Sequence, residues 1–162
     1  MARVAIPLEE FTHEMATTRR LLERVPTEKG RWKPHPKSFA LGHLARLVAW
    51  MPGWINTTLR ESELDLAGGA NYNFESTEAL LALFDKNVEE AAAALAEVVD
   101  GELDESWSLK QGEHVLFTMP RGDVTRQNLN HLIHHRGQLT VYLRLLDVPI
   151  PSIYGPTADE KW

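Results

Sequence analysis

The 162 residues carry 17 lysine and arginine side chains against 23 aspartate and glutamate, a formal charge of -6, with seven histidines and no cysteine. A chain of this length can form one domain, here expected over 1–162, with a core of its own. The absence of thiols excludes disulfide scaffolds, cysteine-ligated zinc, iron–sulfur clusters and thiol nucleophiles, and the acidic balance opposes binding to phosphate backbones.

At the amino terminus there is no apolar core of signal-peptide length, and acids appear at Glu9 and Glu10. No run approaches the ~18 apolar residues that a membrane span needs. The expectation is a soluble cytoplasmic protein with neither a membrane nor a nucleic-acid partner. From Leu8 the residues Leu8, Phe11, Met15, Leu22 and Val25 recur at helical spacing as far as Pro26. Residues 26–38 hold Pro26, Gly30, Pro34 and Pro36, too many breakers for a regular element, with Trp32 pinning the loop to the core.

Ser38 is the expected cap of a second helix carrying Leu41, Leu44, Leu47, Val48, Met51, Ile55 and Leu59, with a kink at Pro52-Gly53. Residues 61–75 read as a surface connection anchored by Tyr72 and Phe74. Ser76 or Thr77 then caps a third helix with Leu80, Leu81, Phe84, Val88, Leu95 and Val98 on one face. Between Asp100 and Pro120, Trp107 and Leu109, then Val115 and Phe117, alternate with polar residues around Lys110-Gln111-Gly112-Glu113, which predicts a short β-hairpin. A fourth helix runs from about Asp123 to Leu146, and the proline-bearing tail from Val148 lies extended over the bundle. The fold class is all-α, a four-helix bundle with a hairpin between helices three and four.

Three histidines fall in His131-Leu-Ile-His134-His135. Positions 131 and 135 are one helical turn apart, so both imidazoles can reach one ion at ~2.1 Å, while His134 points about 100° away. The alternative is a hydrogen-bonded pair of polar residues on a partly buried helix. Two ligands leave a divalent ion half satisfied, so a site needs a third donor from another helix. His43 on helix two is the best placed; His13 belongs to an exposed face, and His35 and His114 to a loop and the hairpin.

Two blocks carry a resemblance to a known family. One runs from Trp32-Lys-Pro-His-Pro-Lys-Ser-Phe-Ala-Leu-Gly-His to Trp50-Met-Pro-Gly-Trp54; the other joins Asn128-Leu-Asn-His-Leu-Ile-His-His-Arg-Gly-Gln138 through Tyr142 to Pro151-Ser-Ile-Tyr-Gly-Pro-Thr-Ala-Asp-Glu160. In these blocks the chain resembles the DinB-like family, related to YfiT-type bacillithiol transferases and mycothiol-dependent maleylpyruvate isomerase and distinct from the DNA polymerase that shares the DinB name. The resemblance implies an up-down-down-up bundle and three histidines, from helices two and four, around a divalent metal such as nickel or zinc. His131 and His135 match the helix-four pair. The helix-two slot is filled by Leu47, in Leu44-Ala-Arg-Leu-Val-Ala49. His43, one turn earlier and about 6 Å away along the axis, is the candidate replacement.

The resemblance further implies thiol-dependent transfer to a small electrophile. With no cysteine in the chain, that thiol is a low-molecular-weight cosubstrate. Arg136 either steers an anionic cosubstrate or forms a bidentate pair with Asp159 or Glu160. Tyr142 reads as core, and Trp50 and Trp54 either pack or line an aromatic pocket. Two functional classes stay open: a metal-dependent thiol transferase or hydrolase, and a non-catalytic bundle with a degenerate metal site used in binding or stress response. In either class a homodimer is the expected assembly.

Overall fold

A computed structural model describes residues 6–161. Its four long helices are α1 (Leu8–Leu22), α2 (Leu41–Arg60), α3 (Thr77–Glu97) and α5 (Arg121–Leu145), with a single turn, α4 (Asp100–Leu103), after α3. Helix α1 packs against α3 and α5, and α2 packs against the same two, so α1 and α2 sit diagonally across the bundle. This is the arrangement expected when the connection between the first two helices crosses the bundle end. Phe11, Leu21, Leu22, Leu44, Met51, Ile55, Phe84, Leu129, Leu132 and Leu139 fill the core. No helix among the described residues is long and apolar enough to cross a membrane.

The start of α2 differs from expectation. Ala40, not Ser38, is the boundary residue, and no side chain caps it. Instead, Leu41 N–H donates to the Trp32 carbonyl at 2.8 Å and Gly42 N–H to the Gly30 carbonyl at 2.9 Å. Backbone oxygens of the preceding loop satisfy the donors that a cap would otherwise take. Phe74 locks this corner from the other side: a Cβ on Gly42 would lie 2.5 Å from the Phe74 Cβ, and one on Gly30 would lie 2.5 Å from its ring.

Helix α2 runs unbroken through Pro52. The proline leaves the Val48 carbonyl without its helical donor. One residue on, the buried Asn87 of α3 donates its Nδ2 to the Ala49 carbonyl at 3.0 Å. Gly53 makes room for that side chain, because a Cβ there would stand 3.1 Å from Asn87 Oδ1. At the start of α3, Ser76 Oγ accepts from Ala79 N–H at 3.1 Å and is the cap.

The hairpin forms from β2 (Ser106–Gln111) and β3 (His114–Pro120), turning at Gly112 with φ of 61°. A third strand was not foreseen: β1 (Glu63–Asp65) lies parallel to β2, with Leu64 opposite Leu109. Asp65 fastens it, its Oδ1 accepting from Gly112 N–H and Ala67 N–H, each at 2.8 Å. The sheet leans on the bundle where α2 meets α5 and supplies a wall that four helices alone would lack.

The tail from Val148 is irregular and crosses the bundle as expected. Its ion pairs differ from those anticipated. Arg144 takes Asp159 at 2.5 Å and Arg20 takes Glu160. Arg136, 1% exposed, points inward to Glu14 of α1, 7% exposed, with Nη1 to Oε2 at 2.6 Å. Nη1 also donates to Thr18 Oγ1 at 3.1 Å, and Nη2 to the Tyr154 hydroxyl at 2.8 Å, which in turn donates to Glu14 Oε1 at 2.9 Å. A buried guanidinium needs a buried counter-charge, and α1 supplies one where the solvent-facing tail cannot.

Candidate functional site

Leu129, Leu132, Leu139 and Leu143 turn α5 toward the core and set the rotation of the helix. That rotation carries His131 and His135 to the edge of the α2–α5 contact. The two Nε2 atoms are 2.9 Å apart and the ring centroids 4.7 Å apart. Gln138, one turn further on, orients the pair: its Oε1 accepts from His135 Nδ1 at 2.7 Å, and its Nε2 donates to His134 Nε2 at 3.1 Å. The contact between the two Nε2 atoms is a hydrogen bond whose donor is set by which ring carries its proton on Nε2. Burial pushes the His131 pKa below its ordinary value, and the neighbouring His135 and His134 push it the same way. His131 is thereby held neutral, the state in which imidazole serves as a ligand or a base.

His43 is not brought to this pair. Its ring is stacked between Phe39, with centroids 4.4 Å apart, and Tyr72, at 4.5 Å. Phe39 stands between the two groups, also approaching His135 with a centroid separation of 6.5 Å. Burial lowers the His43 pKa, and Lys33 adds to the effect. Leu47 is 5% exposed within the core cluster. Among the described residues, no three histidine, aspartate or glutamate side chains gather in a way that could hold a metal ion. His131 and His135 could therefore supply two of the donors a divalent ion needs, and the described residues bring no third to them. Two imidazole nitrogens about 2.1 Å from one ion stand about 3 Å apart at a right angle, close to the observed separation.

The remaining candidates fall elsewhere. His13 and His114 are exposed, and His35 Nδ1 accepts from Lys37 N–H in the loop before α2. Trp54 faces His131 with centroids 5.9 Å apart, whereas Trp50 packs edge-on against Tyr72 under Arg46. Tyr142 is partly buried and donates to the Phe39 carbonyl at 3.2 Å. Two hollows flank the histidines. On the His131 side is a largely apolar cavity of about 250 Å3, walled by α2, α5 and the sheet. On the His135 side is a more open hollow of about 400 Å3, with Lys37, Ser38 and Gln138 at its rim. Sequence reasoning missed Gln138 as the orienting group, although its spacing of three from His135 on one helix was a usable signal. It also missed the sheet residues of the cavity, whose partners lie far away along the chain.

A crossed four-helix bundle with a small sheet and an imidazole pair on its last long helix defines the structural class. The chain belongs to the DinB family, whose profile matches residues 5–161. It is similar in structure to a DinB-like protein from Bacillus cereus ATCC 10987, with a TM-score of 0.73 and 23% identity over 95% of this chain and 100% of the other. It is also similar to the DinB-like protein YjoA from Bacillus subtilis, with a TM-score of 0.68 and 19% identity over 86% of this chain and 91% of that one. At these identities the likeness speaks to the fold. In sequence, the uncharacterized protein YrdA of Bacillus subtilis strain 168 is 46% identical over 44 residues, 27% of this chain. That match spans about a quarter, 26%, of YrdA.

Proposed function

We propose that the chain is a divalent-metal-dependent DinB protein in which His131 and His135 hold nickel or zinc beside a small-molecule cavity. Its chemistry would be transfer of a low-molecular-weight thiol to a small electrophile, or hydrolysis of one. The observation that carries this reading is the 2.9 Å approach of two Nε2 atoms, one ring oriented through its Nδ1 by Gln138, at the mouth of an apolar cavity. Orientation through the second ring nitrogen is the arrangement metal-ligating histidines commonly use. A bound metal supplies Lewis acidity, lowering the pKa of a coordinated thiol or water. The chain's own part is to present two imidazoles on one helix face, align them through Gln138, and shelter the His131 face with Trp54.

Calorimetric titration of chelator-treated, untagged protein with nickel and zinc tests the site. Binding that disappears in His131→Ala/His135→Ala supports the proposal; equal affinity in that double variant overturns it. Turnover of a panel of thiols and electrophiles, with and without metal, then separates the two functional classes. Binding without turnover favours the second reading, a non-catalytic bundle with a degenerate site, for which the buried Leu47 and the stacked His43 speak.

We further propose a homodimer through α5, because Val141 and Leu145, one turn apart, are each 58% exposed. Light scattering is expected to give a dimer for the parent chain and a monomer for Val141→Glu/Leu145→Glu. A monomeric parent overturns this assembly.

A further inference from the structure

The cavity beside His131 has a composition that narrows what it can take. Trp54, Trp107 and Phe117 present aromatic surface, and Leu64, Leu109 and Val124 close the remainder. Among the described residues, no lysine, arginine, aspartate or glutamate lines it. In the metal-free chain a carboxylate or phosphate moved there would lose its hydration and meet no counter-charge, a cost that disfavours anions. Its volume of about 250 Å3 lies below the roughly 300–1,000 Å3 of pockets for drug-sized molecules, which limits the occupant to one or two rings.

The polar side chains of the wall come from α2 and α5, as Thr58, Gln127, Asn128 and His131, while on the sheet side the buried Trp107 Nε1–H has no partner among the described residues. Asn128 donates its Nδ2 to Thr58 Oγ1 at 3.0 Å, so its Oδ1 remains available as an acceptor. Gln127 lies beside it, its amide making no hydrogen bond among the described residues, and His131 is one turn further along α5. An apolar body with a hydrogen-bonding end on the helix side matches this distribution. The cavity depends on β1 as well as on the helices, since Leu64 reaches it by pairing opposite Leu109.

We infer that the cavity is the binding site for a small, neutral, planar aromatic molecule whose hydroxyl or carbonyl end is held at His131 and Asn128. This deepens the proposed function by naming the substrate class, and it rests on that reading only for the chemistry that follows binding. The binding itself needs no metal, so the two can fail separately.

The test is calorimetry of chelator-treated full-length chain with 1-naphthol, 1-naphthoate and naphthalene as probes. 1-Naphthol is expected to bind, and 1-naphthoate to bind at least about tenfold more weakly. Leu109→Trp and Leu66→Trp both fill the cavity, the second from a partly exposed position that tolerates a larger side chain, with circular dichroism and thermal melting confirming each fold. Each is expected to weaken 1-naphthol by about tenfold or more. His131→Ala is expected to weaken 1-naphthol while leaving naphthalene unchanged. Naphthoate binding as tightly as naphthol, or naphthol binding equally to the parent and both filled variants, overturns the inference. Metal titrations that fail while naphthol binds overturn the metal reading and leave this one standing.

Discussion

Replacing Arg136 by methionine removes a buried cation and leaves its partner in place. Arg136 is 1% exposed and Glu14 7%. The substitution deletes the 2.6 Å ion pair together with the hydrogen bonds to Thr18 Oγ1 and the Tyr154 hydroxyl. Glu14 keeps one donor, the Tyr154 hydroxyl, against the desolvation of a full charge. Breaking a buried pair from one side costs about 3–5 kcal/mol. Native domains have only about 5–15 kcal/mol in total, so a large share of the stability is at stake. For a chain of this size the loss corresponds to a fall in Tm of about 6–20 °C. Urea unfolding followed by circular dichroism measures it directly. The double replacement Arg136→Met/Glu14→Leu removes both charges at once and is expected to recover most of the loss, since an apolar pair of similar volume needs no hydration. A single-variant loss under about 1 kcal/mol, or a double variant no better than the single, would refute the account of this contact as a desolvated pair.

Three further outcomes are expected. Burial and Lys33 hold the His43 pKa below its ordinary value, so the unfolded chain takes up a proton first as pH falls. His43 therefore contributes stability that is present above about pH 6.5 and lost as pH falls from there toward its folded pKa; urea midpoints of His43→Phe should show a flatter acid limb, and Lys33→Gln should raise the His43 pKa in an NMR titration. Gly42→Ala places a methyl 2.5 Å from the Phe74 Cβ and should cost about 1–3 kcal/mol in urea unfolding, despite the better helix propensity of alanine. Gly68→Ala, with nothing within 4 Å, should cost far less. Leu47→His restores the donor that the family resemblance places on α2 and should tighten nickel and zinc binding in calorimetry by about tenfold or more; unchanged affinity would remove position 47 from the site.

The long helices were legible because each carries its own apolar stripe: the burial of Leu44, Met51 and Ile55 on α2, or of Leu132, Leu139 and Leu143 on α5, follows from spacing alone. The hairpin was legible for the same local reason, with alternation on both sides of Gly112. Strand β1 was not, because Glu63-Leu64-Asp65 is three residues long and gains its structure from β2, more than forty residues away. The start of α2 was misplaced because backbone carbonyls, which every sequence possesses, do the capping there.

The same division runs through the candidate site. His131 and His135 share a face because they lie four residues apart on one helix, a relation set by helical geometry and written in the sequence. Whether another helix delivers a third donor is a matter of packing, and packing turned His43 into an aromatic stack and Leu47 into core. Arg136 shows the principle most sharply: the sequence marked it as a cation needing a partner, but the partner is Glu14, brought to it only by the docking of α1 on α5. Periodicity thus determined the elements and the histidine pair, whereas tertiary structure decided the cavity, the ion-pair partners and the number of donors, because those depend on distances between segments that no local pattern records.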